Sequence, residues 1–389
     1  MKNPFTVADG LFEDTVRIRR RLHQYPELSG QEQQTLAFIR AQLDTLSIPY
    51  AEYKNGGICA IIGKGDRAVG VRGDVDALPV QEETNLPYAS VHKGVMHACG
   101  HDIHTALLLS LARAFKAEED TLPYMVKLFF QPAEETVGGA KVMVDSGCME
   151  SPKVEKVLAL HVDPALPVGH AAYLPGKMNA AVIELDITVK GKACHGAHPE
   201  MGVDAIVAAA HMICALQSIP SRFTAPTTPV VLSIGTIHGG NGRNIITGEV
   251  KLQGTVRVLD METARQVKEL IRRTAVASAA AFGAEAEVTL TDDYPALINH
   301  QALTLALAAH ARELLGTDHV TLLDTPSMGA DDFAYFTNAA PGCYFNLGVA
   351  GQQGCASLHS PHFAPDEGCI RTGLALLYQH LWACMEGKV

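Results

Sequence analysis

The sequence predicts an α/β protein interrupted by a second unit of order β-α-β-β-α-β. Three observations carry this reading. Early in the chain, short apolar runs bounded by glycine alternate with stretches of helical periodicity. In the middle, strand-like alternation surrounds two long helical stretches. After residue 294 the first style resumes, so the middle unit reads as an insertion.

The elements follow in order. "DTVRIRRRLHQY" and "QEQQTLAFIRAQLDTL" have apolar residues at helical spacing, and "ICAIIG" and "AVGVRG" read as buried strands. "YMVKLFF" (124–130) and "VEKVLALHV" (154–162) are further strands, with helices predicted over 105–117 and 138–147. The middle gives strands over 180–191, 229–240, 245–259 and 284–294, and helices over 202–219 and 261–282. A helix at "QALTLALAAHARELL", a strand over 342–349 and a closing helix at "CIRTGLALLYQHLWACM" complete the chain. The domains are therefore expected at 1–178 together with 295–389, and at 179–294.

Composition narrows the function. A chain of 389 residues exceeds what one core usually serves. Its apolar fraction is 47% and its charged fraction 19%, which excludes disorder. The formal charge of −11 argues against nucleic acid or an anionic membrane as partner. The basic run "RIRRR" (17–21) reads as a solvated helix face. The first residues lack the apolar core of a signal peptide, and no apolar stretch is long enough to span a bilayer. Nine scattered cysteines without a CxxC pair suit a reducing compartment, so a cytoplasmic protein is expected.

Chemistry gathers past the carboxyl ends of the predicted strands, the edge where open α/β sheets place their sites. There lie Asp74 and Asp76 ("GDVDALP"), Glu134 and Glu135 ("QPAEE"), His161, and His359 and His362 ("LHSPHF"), with "HACGHDIH" (97–104) leading into a helix. Each piece alone has a bland reading. A lone histidine is more often a core or surface residue, a glutamate pair a solvated helix start, and a DxD a turn cap. Together, a thiol, several imidazoles and carboxylates suit a divalent cation. Adjacent glutamates suit metal-assisted hydrolysis, one as ligand and one as proton shuttle. Gly239, Gly240 and Gly242 lack the strand–helix setting of a phosphate loop, and no GxSxG elbow exists.

These motifs, in this order, resemble the aminoacylase/carboxypeptidase family of dinuclear metallohydrolases. The closest branch comprises amidohydrolases such as hippurate hydrolase, N-acetylaminoacid deacetylases and auxin-conjugate hydrolases. The likeness runs from "RRRLHQYPELSGQE" through "VRGDVDALPVQEET", "GVMHACGHDIHTA", "LFFQPAEE", "KVLALHV", "GKACHGAHPEMGVDAI" and "MGADDFAYF" to "LHSPHF".

The resemblance implies a catalytic zinc-peptidase-like α/β domain and an inserted ferredoxin-like domain serving as lid and dimerisation element. It implies two divalent metal ions per subunit, zinc or manganese first, nickel or cobalt next, held by Cys99, His101, Glu135, His161 and His359. In that scheme Cys99 bridges, His101 and His161 serve one ion, and Glu135 and His359 the other. Glu134 matches the general base, Asp76 an orienting aspartate, and His195 a donor to the substrate carbonyl. Asn244 and Arg257 match substrate-holding positions. Two segments depart from the family pattern. "GADDF" (329–333) puts Asp331 where a longer acid is usual, and "NIIT" (244–247) replaces "NVIP".

The expected function is metal-dependent hydrolysis of N-acyl or N-aroyl amino acids by a cytoplasmic homodimer. The alternatives are a dipeptidase on the same scaffold and a metal- or ligand-binding homodimer without turnover.

Overall fold

The computed structural model describes residues 1–136 and 138–389. The chain divides into two compact units, Met1–Gly176 with Ile298–Thr325 and Asp332–Val389, and Lys177–Leu297 with Pro326–Asp331.

The first unit opens with α1 (Pro4–Gln24), α2 (Gln33–Thr45), β1 (Tyr50–Glu52), β2 (Ile58–Ile62) and β3 (Arg67–Asp74). Then come α3 (His101–Lys116), β4 (Met125–Gln131), α4 (Gly139–Asp145), β5 (Lys153–Pro167) and β6 (Ala171–Tyr173). The second unit contains β7 (Ala181–Lys190), α5 (Ala205–Leu216), β8 (Val230–Gly239), β9 (Glu249–Val258), α6 (Met261–Ala280) and β10 (Glu285–Asp292). The chain returns to the first unit with α7 (Gln301–Leu315), β11 (Val320–Leu322), α8 (Ala334–Ala339), β12 (Gly342–Ala350) and α9 (Cys369–Met385).

The first unit is built on one eight-stranded sheet of order β1-β2-β4-β3-β5-β12-β6-β11. Its centre, β4-β3-β5-β12, is parallel throughout. Parallel strands are covered on both faces, which is why β3 and β4 are mostly apolar, interrupted by Arg72 and Lys127, and are buried almost end to end. Successive residues point to opposite faces. Phe130 joins the core that also contains Leu107, Leu111 and Leu377 of α3 and α9, while Phe129 packs at a tilt against Phe336 of α8, ring centroids 5.1 Å apart. Helix α1 starts where Asn3 accepts the Thr6 N–H at 3.0 Å and Pro4 fills the first turn.

The second unit has a four-stranded antiparallel sheet of order β8-β9-β7-β10. With one helix after β7 and one after β9, this is the ferredoxin-like arrangement. Ile183, Leu185 and Ile187 of β7 share a core with Ala208 and Met212 of α5 and Val267 and Ile271 of α6.

Two expectations are corrected. The strand read over 245–259 is broken: Ile245–Ile246 pairs with Cys194–His195, and β9 starts only at Glu249. Thr247 is buried between the pieces, its hydroxyl donating to the Glu249 carbonyl at 3.2 Å. The run 17–21 is not uniformly solvated either, because Arg19 is fully buried. It lies on the face of α1 that also turns Thr15, Val16, Leu22 and His23 inward, and its Nε stands 2.7 Å from Asp102 Oδ2. Among the described residues no helix is long and apolar enough to cross a membrane.

Candidate metal centre

The parallel strands deliver their chemistry past their carboxyl ends. β3 stops at Asp74 with Asp76 just beyond, and β4 stops at Gln131 ahead of Glu134 and Glu135. β5 runs on after β3 stops pairing with it at Ala159, which carries His161 clear of that ladder. His359 lies in the loop after β12, and its backbone N–H donates to the Ala98 carbonyl at 2.8 Å.

Cys99 and His101 flank Gly100, which precedes α3 with φ +83°. A Cβ there would stand 2.3 Å from Val162 Cγ2, so the turn rests directly on β5. Glycine alone meets both conditions.

Hydrogen bonds fix which nitrogens face the centre. His101 Nδ1 donates to the Asp76 carbonyl at 3.0 Å and lies 3.2 Å from Asp76 Oδ1. A carbonyl only accepts, so Nδ1 carries a proton and Nε2 is the nitrogen left facing the centre. His161 Nδ1 likewise donates to the Val162 carbonyl at 2.8 Å, leaving Nε2 at 3.4 Å from Cys99 Sγ. Asp76 Oδ2 accepts the Glu135 N–H at 2.9 Å. One aspartate thus aligns both a ring and a carboxylate-bearing backbone.

The ligating atoms of Cys99, His101 and His161 lie within 4.8 Å of one another, as do those of Cys99, Glu135 and His359. Cys99 is common to both sets. His101, Glu134 and Glu135 form a third set that overlaps them. His101 Nε2 and Glu135 Oε1 are 3.9 Å apart, and both are buried without a hydrogen-bond partner among the described residues. Glu135 Oε1 has His359 Nε2 at 3.5 Å and His101 Nε2 has Asp74 Oδ2 at 3.7 Å, so carboxylates and imidazoles converge here at distances longer than good hydrogen bonds, which leaves room for a cation among them. Burial pushes the Cys99 thiol well up, so its thiolate needs a positive neighbour. Burial disfavours the charged form of His101, yet Asp74 and the other anionic neighbours outweigh it and hold the imidazolium form well above its usual range. Thiol, imidazoles and carboxylates in an electronegative pocket fit a divalent cation.

Other candidates are occupied elsewhere. Asp74, His101 and His104 also form a compact set, but Asp74 is spent on Arg72 at 2.5 Å and on His104 Nδ1 at 2.6 Å. His104 Nε2 accepts the Val162 N–H at 3.2 Å, so both its nitrogens are used. Asp102, in the same motif, pairs with Arg19 and with His23 Nδ1 at 2.9 Å. His362 points to Glu83 at 3.4 Å. His97 is buried and belongs to none of these sets.

Three expected site residues belong to the second unit. His195 is exposed, and its Nδ1 accepts the Ala197 N–H at 3.0 Å. Asn244 is tied to the same turn through the Gly196 N–H at 2.8 Å. Arg257 on β9 donates to Thr255 Oγ1 at 3.0 Å and lines a depression of about 400 Å³ with Glu184, Asp186 and Asp293. Sequence reasoning missed Arg72, whose guanidinium bridges Asp74 and, at 2.6 Å, Asp332 of the "GADDF" segment. A basic residue inside an apolar strand run was the available signal.

The profile of the peptidase family M20/M25/M40 matches residues 70–383. The chain belongs to that family. Among its relatives is the N-acetyl-L-cysteine deacetylase of Bacillus subtilis (strain 168), 38% identical over 382 residues, covering 97% of this chain and 89% of that one. The N-acetyldiaminopimelate deacetylase of Bacillus cytotoxicus is 38% identical over 370 residues, covering 94% of this chain and 96% of that one. A solved structure from Bacillus subtilis, described as a dinuclear metal-binding peptidase of the M20 family, superposes with a TM-score of 0.84. It is 31% identical, with 97% of this chain and 99% of that one covered.

Proposed function

We propose that this family member hydrolyses the amide bond of N-acyl or N-aroyl amino acids in a metal-dependent reaction. The observation that carries this reading is the pair of ligand sets sharing Cys99, with Glu134 beside them. Cys99, His101, Glu135, His161 and His359 would hold two divalent ions, zinc or manganese first by the thiolate–imidazole–carboxylate set, nickel or cobalt next. Such ions supply Lewis acidity and bring the acidity of water near neutrality.

The chain's own residues do the rest. Glu134, 8% exposed, accepts a proton from the attacking water and returns it to the leaving nitrogen. Asp76 keeps His101 and the Glu135 backbone aligned. The family resemblance assigns His195 to the developing oxyanion, where a placed donor is worth roughly 3–4 kcal/mol. It assigns Asn244 and Arg257 to the substrate carboxylate or carbonyl. Residues 179–294 are proposed as the lid and dimerisation domain of a homodimer. In support, among the described residues β8 pairs only with β9 at the edge of its sheet, and Val231 and Ile237 on it are exposed. Nine cysteines, all free, support a cytoplasmic setting.

Glu134→Gln should lower kcat by at least about 10²-fold with metal content retained. Normal turnover in that variant would remove the assignment. A panel of N-acetyl amino acids against dipeptides separates deacylase from dipeptidase.

A further inference from the structure

The "PELSGQE" loop (26–32) holds no residue of the candidate metal set, yet it is bound to both the Asp76 turn and the turn that carries Glu134 and Glu135. Leu28 forms a parallel bridge with Ala77, and the Ala77 N–H donates to the Glu27 carbonyl at 2.8 Å. The Ser29 hydroxyl donates to Asp76 Oδ2, the oxygen that also accepts the Glu135 N–H.

Glu32 reaches furthest. Its side chain is 3% exposed, and Oε1 accepts the Gly30 N–H at 2.9 Å and the Ala133 N–H at 2.8 Å. Ala133 immediately precedes Glu134 and sits at φ +58°, a left-handed backbone that a non-glycine residue adopts only when its surroundings impose it. A carboxylate is buried here with backbone donors as its visible partners, and one of them belongs to this strained residue. Removing the acceptor would leave the Ala133 N–H buried and unpaired and free the turn to relax.

We infer that Glu32 is a positioning residue for the hydrolytic step. Its Oε1 clamps Ala133 and thereby sets the direction in which Glu134 and Glu135 leave β4. This rests on the proposed role of Glu134. A proton-transferring group displaced by about 1 Å can lose about 10²-fold in rate. The effect should fall on kcat, because the clamp touches neither substrate-holding position.

The test compares Glu32→Ala, Glu32→Asp and Glu32→Gln in metal-reconstituted full-length protein turning over an N-acetyl amino acid, with wild type and Glu134→Gln alongside. Glu32→Gln keeps an acceptor oxygen at full reach without the charge. Glu32→Asp keeps the charge but withdraws the acceptor by one methylene. Glu32→Ala and Glu32→Asp should each lose at least tenfold in kcat with KM within threefold of wild type, and Glu32→Gln should recover most of it. If Glu32→Ala does not fold, the Asp–Gln contrast decides alone. Glu32→Asp with wild-type kcat, or Glu32→Gln as poor as Glu32→Asp, would overturn the inference while leaving the role of Glu134 intact. Full activity in Glu134→Gln would instead remove the reading on which it rests.

Discussion

The two units solve opposite problems with buried charge. In the first, Arg19, Arg72, Lys127, Glu32, Asp74, Asp76, Asp102 and Asp332 are all buried. In the second, the buried polar side chains among the described residues are Asn179, Thr247 and Asp331, around a core of Ile, Leu, Val, Ala and Met. Desolvated charges contribute little net stability even when paired. Their concentration in one unit therefore calls for another reason, and the candidate metal centre lies among them. Arg72 joins the end of β3 to the Asp332 loop, and Gln131 at the end of β4 donates to the same Asp332 at 2.6 Å. His104 carries Asp74 across to β5. The first unit ties three strand ends together with buried ion pairs and hydrogen bonds, while the second packs as an ordinary two-layer sandwich.

Arg72→Leu should break this contrast most severely. It removes the buried cation between Asp74 and Asp332, with an expected loss of about 3–5 kcal/mol in urea unfolding. Lys268→Ala, which removes the rim pair with Asp292 at 2.8 Å in the second unit, should lose less than about 1 kcal/mol. Equal losses would show that the two units do not differ in the way claimed.

Glycine positions sharpen the same comparison. Gly100→Ala adds about 1–2 kcal/mol of left-handed strain and about 1–3 kcal/mol of overpacking against Val162. Gly283 of the second unit also has a left-handed φ of +72°, but a Cβ there would find its nearest neighbour at 3.9 Å. Gly283→Ala should show the strain alone, read from the shift in the urea midpoint.

The smallest effect concerns acid. Burial would raise the Glu82 carboxyl, but His23, the Ser90 N–H and Thr84 outweigh it and hold it at about 2. In the second unit Asp260 is also held at about 2, where burial is outweighed by Lys177 and the Thr263 N–H. A depressed carboxylate stabilises the fold above its unfolded value and ceases to as pH falls through the folded one. Stability should therefore fall between about pH 4.5 and 2, and Glu82→Gln and Asp260→Asn should each flatten that limb. About 0.5 M salt should erase the Asp260 effect and spare that of the enclosed Glu82.

The element pattern was largely legible because both units obey strand and helix periods, and the strand ends pointed to the cluster of side chains proposed as ligands. Long-range ionic partners were not legible. Arg19 sits in a basic run that looks solvated, and its partner Asp102 lies 83 positions away in a motif that looks metal-binding throughout. Nothing in the sequence near His23 names a partner, yet it bridges Asp102 and Glu82, at 2.9 and 3.2 Å. Such pairings depend on which helix face turns inward, and apolar periodicity conceals a charged residue that shares that face. The break at Thr247 was hidden for a related reason: apolar residues on both sides continue the alternation across it.

Metal stoichiometry tests the central claim most directly. Purified wild type, His161→Ala, His359→Ala and Cys99→Ala would be titrated with zinc and with manganese and the bound metal counted. The account predicts two ions per chain in wild type, one after loss of either histidine, and fewer than two after loss of the shared cysteine. Two ions retained by Cys99→Ala, or none bound by wild type, would contradict it.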